Sequence, residues 1–191
     1  MNRFHRWCCR SESWRKQLRE EVLPWALDGI NLPEGSALEV GPGPGLTTDF
    51  LQGRVAGLTA VELDSGLARA LANRTAGTRV RVVNGDATQL PLRDRAFSSA
   101  FCFTMLHHVA SPALQDRLFQ EIFRTLKPGG VFIAVDSRSS LRMKLVHLWD
   151  TLVIVDPDAL AGRLERAGFA RANIKANGRR FRCVAWRPEK A

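Results

Sequence analysis

No apolar run in this sequence of 191 residues approaches the roughly 18 that a membrane span needs, which excludes a helical spanning segment. Residues 1–10 carry arginines but neither an uninterrupted apolar core nor a small-residue cleavage site, so no secretory signal is expected there. Cysteine is scarce. Cys8, Cys9, Cys102 and Cys183 show no paired spacing and no His/Cys set of zinc-site shape, so neither a disulfide framework nor a metal site is predicted. Reduced thiols in a cytoplasmic protein are the expectation. Repeats and low-complexity stretches are also missing. With 45% hydrophobic and 25% charged residues a disordered or fibrous chain is excluded, and the length suits one ordinary domain.

Negative charge runs short only at the end of the chain. The formal net charge is +9, yet residues 31–161 carry thirteen Lys/Arg against thirteen Asp/Glu, while residues 162–191 carry nine against two. A basic segment suits nucleic acid, an anionic membrane surface or an acidic ligand, and equally a solvated edge that binds nothing.

From residue 36 onward short apolar runs alternate with helical segments. The runs lie at 36–40, 58–63, 80–83, 100–103 and 131–135, each closed by turn residues, as buried parallel strands are. Helices are predicted at 46–51, 66–74 and 113–126. In the third, Leu114, Leu118, Ile122 and Leu126 recur every four residues between a Ser111-Pro112 start and a Lys127-Pro128-Gly129-Gly130 stop. This alternation specifies an α/β fold with a parallel sheet covered on both faces. The ending differs: a helix at 159–167 precedes two strand-like runs around Asn177-Gly178, a hairpin signal. Before the first strand, Trp14, Leu18 and Val22 share a helical face. The organisation expected is an N-terminal helical extension or lid, 1–30, on one domain, 31–191.

The segment Leu38-Glu39-Val40-Gly41-Pro42-Gly43-Pro44-Gly45 leaves a strand and enters a helix. Such glycines permit a tight turn and close approach of a ligand to backbone. Position 46 is leucine where a G-x-G-x-x-G fingerprint needs glycine, and no lysine follows Gly45 as a P-loop requires. The second strand ends in Glu62, a carboxylate able to accept from both hydroxyls of a ribose. The third ends in Asp86, which can accept from an exocyclic amine. Three consecutive strands thus deliver glycine or carboxylate to one crevice, and the ligand they suit is of adenosine type.

These motifs resemble those of class I S-adenosylmethionine-dependent methyltransferases of the type 11, quinone-methyltransferase-like kind. The matching segments are 38–45, 60–64, 84–91, 100–108 and 123–133, with the LKPGG run at 126–130 especially specific. The resemblance implies a Rossmann-like seven-stranded sheet of order 3-2-1-4-5-7-6, strand 7 antiparallel, with helices on both faces. It implies S-adenosylmethionine as cofactor and S-adenosylhomocysteine as product. By position, Glu39 and the loop of Gly41, Gly43 and Gly45 would hold the methionine moiety. Glu62 would bind the ribose, with Leu63 against adenine and Asp86 and Ala87 at its edge. Phe103 and Thr104 would lie at the methionine end, beside the incoming acceptor.

Such chemistry needs an aligned nucleophile more than catalytic groups, since the cofactor arrives activated. His107 and His108, after the fourth strand, are the candidates for a base that deprotonates the acceptor, with His5 a further one. Phe4, Trp7, Ser11, Trp14, Leu18 and Val22 form a stripe that suits a lid, a basic amphipathic helix resting on a membrane, or simple packing. Leu141, Leu145, Leu148, Trp149 and Leu152 form another, which as a pocket roof favours an apolar or aromatic acceptor. The chain has no tyrosine, so it cannot carry the Asn/Asp-Pro-Pro-Tyr motif of many nucleic-acid amino methyltransferases, and no Pro-Cys nucleophile motif is present. A small-molecule acceptor is therefore expected. The alternatives are an RNA methyltransferase, using Phe181 and Trp186 among Arg179, Arg180, Arg182 and Arg187 as a phosphate track, and a non-catalytic protein that only binds the cofactor.

Overall fold

In the computed structural model, residues 11–148 and 150–189 are described. The Phe4 and Trp7 end of the first stripe, His5, Cys8, Cys9 and Trp149 lie outside them. The described residues open with helix α1 (Glu12–Gln17), a π-helical turn (Leu18–Val22) and α2 (Leu23–Leu27). Pro24 lacks the N–H an α ladder would use, and the widened turn precedes it. Strands and helices then alternate: β1 (Ser36–Val40), α3 (Leu46–Leu51), β2 (Gly57–Glu62), α4 (Ser65–Arg74), β3 (Val80–Asn84) and β4 (Phe97–Phe103). A 3-10 turn (Leu106–His108) leads to α5 (Pro112–Thr125), β5 (Leu126–Ser137), α6 (Leu141–Val146), α7 (Pro157–Arg166), β6 (Ala170–Ala176) and β7 (Arg180–Trp186).

The seven strands form one sheet of order β3-β2-β1-β4-β5-β7-β6, in which β7 runs antiparallel to β5 and β6 antiparallel to β7. This is the Rossmann-like sheet that the motifs imply. Asn177 closes the hairpin as expected, its Oδ1 accepting from the N–H groups of Arg179 and Arg180 at 2.9 Å. In the parallel half, register aligns the strand ends: Val40 lies opposite Val61 and Cys102, Glu62 opposite Asn84, and Phe103 opposite Val135. The carboxyl ends of β1 to β4 therefore open onto one edge, and the chain reverses its strand order between β1 and β4.

Both faces are packed. Leu118, Phe119 and Ile122 of α5 bury against Phe132 on one side, with Leu160 and Leu164 of α7. On the other, Leu18, Val22, Leu23 and Ala26 pack with Leu51, Phe101 and Ile133, so the described part of the N-terminal segment belongs to the core of that face. Cys102 and Cys183 are free thiols, buried, and burial pushes both well above the usual thiol range. Among the described residues no helix is long and apolar enough to cross a membrane.

The basic C-terminal stretch is partly interior, which counts against the alternative of an arginine phosphate track. Arg182 is buried and its Nη1 donates to the carbonyls of Trp25 (2.7 Å) and Asp28 (3.1 Å), tying α2 to β7. Arg187 is buried too, with Nη1 donating to Phe123 (2.7 Å), Arg124 (3.1 Å) and Leu126 (2.8 Å) at the end of α5. Those carbonyls are orphaned by helix termination, and a cation there also suits the helix dipole. Arg163 is spent on Asp116, Gln115 and the Pro112 carbonyl. Phe181 is fully buried and offers no stacking platform. Arg171 and Lys175 remain exposed along the edge strand, where charge discourages further strand pairing, and Arg179 is exposed in the hairpin turn.

Candidate functional site

The strand ends surround a cavity of about 640 Å³, within the range of small-molecule sites. Its walls come from the glycine loop, the ends of β2 and β3, the β4 exit and the first helices. All three loop glycines of the predicted set have positive φ: Gly41 at 68°, Gly43 at 54° and Gly45 at 84°. They are needed for different reasons. A Cβ on Gly41 would press on Met105 at 3.0 Å, and one on Gly45 would meet the side chains of Arg74 (2.2 Å) and Leu71 (2.5 Å). A Cβ on Gly43 would meet nothing within 4 Å, and Gly43 itself lines the cavity.

Glu62 stands at the centre of this wall. Its Oε2 accepts from the Gly43 N–H and its Oε1 from the Asp64 N–H, both at 2.9 Å. Each oxygen keeps a lone pair for a further donor, so the acceptor role read from the sequence is compatible with the loop tie. Leu63, next in the chain, is 70% exposed at the cavity edge, an apolar surface of the kind a flat ring covers. Asp86 and Ala87 also line the cavity; Asp86 Oδ1 accepts from the Thr88 N–H and hydroxyl, both at 2.8 Å. Phe103 and Thr104 complete the predicted set on the β4 side. Thr104 has φ 54° and donates its N–H to Val135 at 2.7 Å, a strained backbone held by the neighbouring strand.

Two predicted residues stand elsewhere than expected. Glu39 is buried beneath the loop, not at the cavity wall. Thr47 and Thr48, in the first turn of α3, donate their hydroxyls to its two oxygens, the latter at 2.6 Å. Burial dominates and pushes its carboxyl up to about 7, against the opposing pull of the two threonines. Glu39 therefore fastens β1 to α3 and sets the loop between them. His107 is likewise buried and off the cavity wall; its Nδ1 lies 2.5 Å from Asp136 Oδ1 on β5. Asp136 also accepts the His107 N–H (3.0 Å) and the Ser137 N–H (2.6 Å). Burial raises its carboxyl, but the pairing and hydrogen bond with His107 outweigh that and hold it below the ordinary range. His108 does line the cavity.

Sequence reasoning passed over two features. Arg74, from the end of α4, bonds Asp49 at 2.5 Å and donates Nη2 to the carbonyls of Pro44 and Gly45 at 3.2 Å, latching the loop from outside. His147 joins His107 and His108 from the far end of α6. Trp14 and Leu18, of the stripe read as suiting a lid, reach the cavity from the N-terminal segment. The leucine stripe does not: Leu141, Leu145 and Leu148 are 80%, 71% and 58% exposed, and the 137–156 segment gives the cavity Asp150 and Thr151 instead.

Residues 38–134 match the family described as "Methyltransferase domain". Among curated proteins, 84 residues are 38% identical to 24-methylenesterol C-methyltransferase 2 of Oryza sativa subsp. japonica, covering 43% of this chain and 22% of that one. A stretch of 75 residues is 44% identical to ribosomal RNA small subunit methyltransferase A of Geobacter metallireducens, covering 38% and 27%. The chain thus spans about a quarter of the length of these relatives. Among solved structures, the putative methyltransferase in complex with the Haloferax volcanii Trm112 methyltransferase activator superposes with a TM-score of 0.76 at 16% identity, over 98% of this chain and 99% of that one. The likeness to that structure is one of fold.

Proposed function

The chain belongs to the methyltransferase domain family, and from that premise we propose that it transfers a methyl group from S-adenosylmethionine to a small apolar or aromatic acceptor. The observation that carries the proposal is the lining of the cavity. It combines the glycine loop, Glu62, Leu63 and Asp86 with the apolar side chains of Trp14, Leu18, Met105, Val109 and Leu114. The first set fits an adenosine ligand by its chemistry: a carboxylate for ribose hydroxyls, an exposed leucine for the base, an aspartate at the base edge, and a Gly43 whose missing side chain leaves room. S-adenosylmethionine would supply a methyl group already activated on a sulfonium.

The chain's own contribution is to position. Glu62, Asp86 and the loop would hold the nucleoside, while Phe103 and Thr104 would set the methionine end beside the acceptor. Holding donor and acceptor in line is worth about 7–11 kcal/mol of barrier in favourable cases. Where the acceptor carries a proton to be lost, His108 is the cavity-lining group suited to accept it. The apolar part of the lining supports a lipid-like or aromatic acceptor over RNA, as does the inward spending of Arg182 and Arg187. The test is a mass-spectrometric screen for methylated product across phenols, quinones, fatty acids and RNA. Product from an apolar or aromatic compound supports the proposal; product from RNA alone overturns the acceptor class.

A further inference from the structure

From the cluster of His107, His108 and His147 we infer a binding site for one divalent transition-metal ion, at the β4 end of the cavity. The three rings converge from two parts of the chain, the turn after β4 and the end of α6. Their centroids lie 4.2 Å (His107–His108), 4.9 Å (His107–His147) and 5.1 Å (His108–His147) apart. One nitrogen of each ring lies within 4.8 Å of the other two.

What separates this from ring packing is the treatment of the opposite nitrogens. His107 Nδ1 is held by the buried Asp136 carboxylate at 2.5 Å, and His147 Nδ1 by the Met143 carbonyl at 2.8 Å. A carboxylate or carbonyl on the far nitrogen is how proteins fix the tautomer and orientation of metal-bound imidazoles. Here it directs Nε2 of both rings to the ligand role. His107 and His147 are buried, and the connecting loop is pinned: the Val153 N–H donates to the His107 carbonyl at 2.8 Å, and Gln115 Nε2 donates to the carbonyls of Leu106 (3.1 Å) and Val153 (2.8 Å). The scaffold on which the rings stand is therefore preorganised.

Three imidazoles select a borderline ion such as zinc, cobalt or nickel over magnesium or calcium, which demand oxygen. Zinc with three histidines leaves a fourth position open. Because His108 lines the cavity, that position would face it and could take an acceptor heteroatom, with His108 then a ligand in place of the base role given it above. Donors about 2.0–2.1 Å from a tetrahedral ion stand about 3.3 Å from one another, so loading draws the nitrogens together through small side-chain rotations. The use of such an ion on an acceptor rests on the function proposed above; the binding itself does not.

The test is calorimetric titration of the metal-stripped full chain with zinc alone, followed by X-ray absorption at the zinc edge. One equivalent bound at micromolar affinity or better, with three imidazole nitrogens around it, is the expected result. His108→Ala and His147→Ala should each weaken uptake at least about 100-fold, and Asp136→Asn about 10–100-fold. Cys8→Ser and Cys9→Ser should leave it unchanged. S-adenosylhomocysteine titrations of the same samples check folding and separate the two readings. Nucleoside binding without stoichiometric zinc would overturn the metal site and leave the cavity assignment standing; zinc without nucleoside binding would do the reverse. Sulfur in the coordination sphere, or uptake that survives His147→Ala, would also overturn it.

Discussion

Glu62 and Gly43 are joined across 19 positions by a hydrogen bond of 2.9 Å from the glycine N–H to the carboxylate. The bond ties the end of β2 to the loop that follows β1, so the residue proposed to take the ribose also sets the shape of the loop beside it. On that proposal, cofactor binding and loop geometry are coupled through one side chain.

The glycines should separate by function. Gly43→Ala and Gly45→Ala both force a side chain into the left-handed region, at about 1–2 kcal/mol each. Gly45→Ala in addition displaces Arg74 from its latch, whereas Gly43→Ala meets no protein atom and puts its methyl where the ligand is proposed to lie. Urea denaturation should therefore show Gly45→Ala to be the less stable. Calorimetry should show Gly43→Ala losing S-adenosylhomocysteine affinity, about tenfold or more, at nearly full folding.

Glu39 should make stability fall with rising pH. Its carboxyl is raised from 4.5 to about 7 by burial, so the folded state holds the proton more tightly than the unfolded one. That contribution is fully present below about pH 4.5 and is lost as pH rises through 7, amounting to about 3 kcal/mol. Glu39→Gln, which keeps hydrogen bonds to Thr47 and Thr48 without the charge, should remove this slope. Urea midpoints of both proteins at pH 5 and pH 8 measure the difference between them.

Arg187 should matter to folding and not to nucleic acid. Arg187→Met leaves three carbonyls at the end of α5 without their donor and should cost about 2–3 kcal/mol in denaturant titrations. Lys175→Ala and Arg179→Ala, both at exposed positions, should stay within about 0.5 kcal/mol. With Arg182 and Arg187 turned inward, RNA binding should be weak and its affinity should lack the steep fall with salt that many phosphate contacts produce.

Much of this molecule is legible in the residues because its information is local and ordered. Each strand of the β1–β4 half ends in a motif read directly, and parallel register alone brings Gly43, Glu62 and Asp86 to one edge. The hairpin is announced by Asn177-Gly178. What escapes reading depends on contacts between distant segments. Glu39 sits in the motif expected to touch ligand, yet Thr47 and Thr48 draw it under the loop. Arg182 and Arg187 alternate with apolar residues as solvent-facing residues do, but helix ends packed over β7 claim them. His147 lies 39 residues after His108, with no spacing rule to link them. Leu141, Leu145 and Leu148 have the periodicity of a buried stripe, which says that the residues share a face and not that the face is covered.

The central claim is that the cavity beside Glu62 holds the adenosine part of S-adenosylmethionine. The most direct measurement is calorimetric titration of S-adenosylhomocysteine into the unmodified chain and into Glu62→Ala. One molecule should bind per chain, and the variant should lose at least about tenfold in affinity, since a hydrogen bond to a charged group is worth about 1.5–3 kcal/mol. Equal affinity in the two proteins, with the variant folded, would contradict the account.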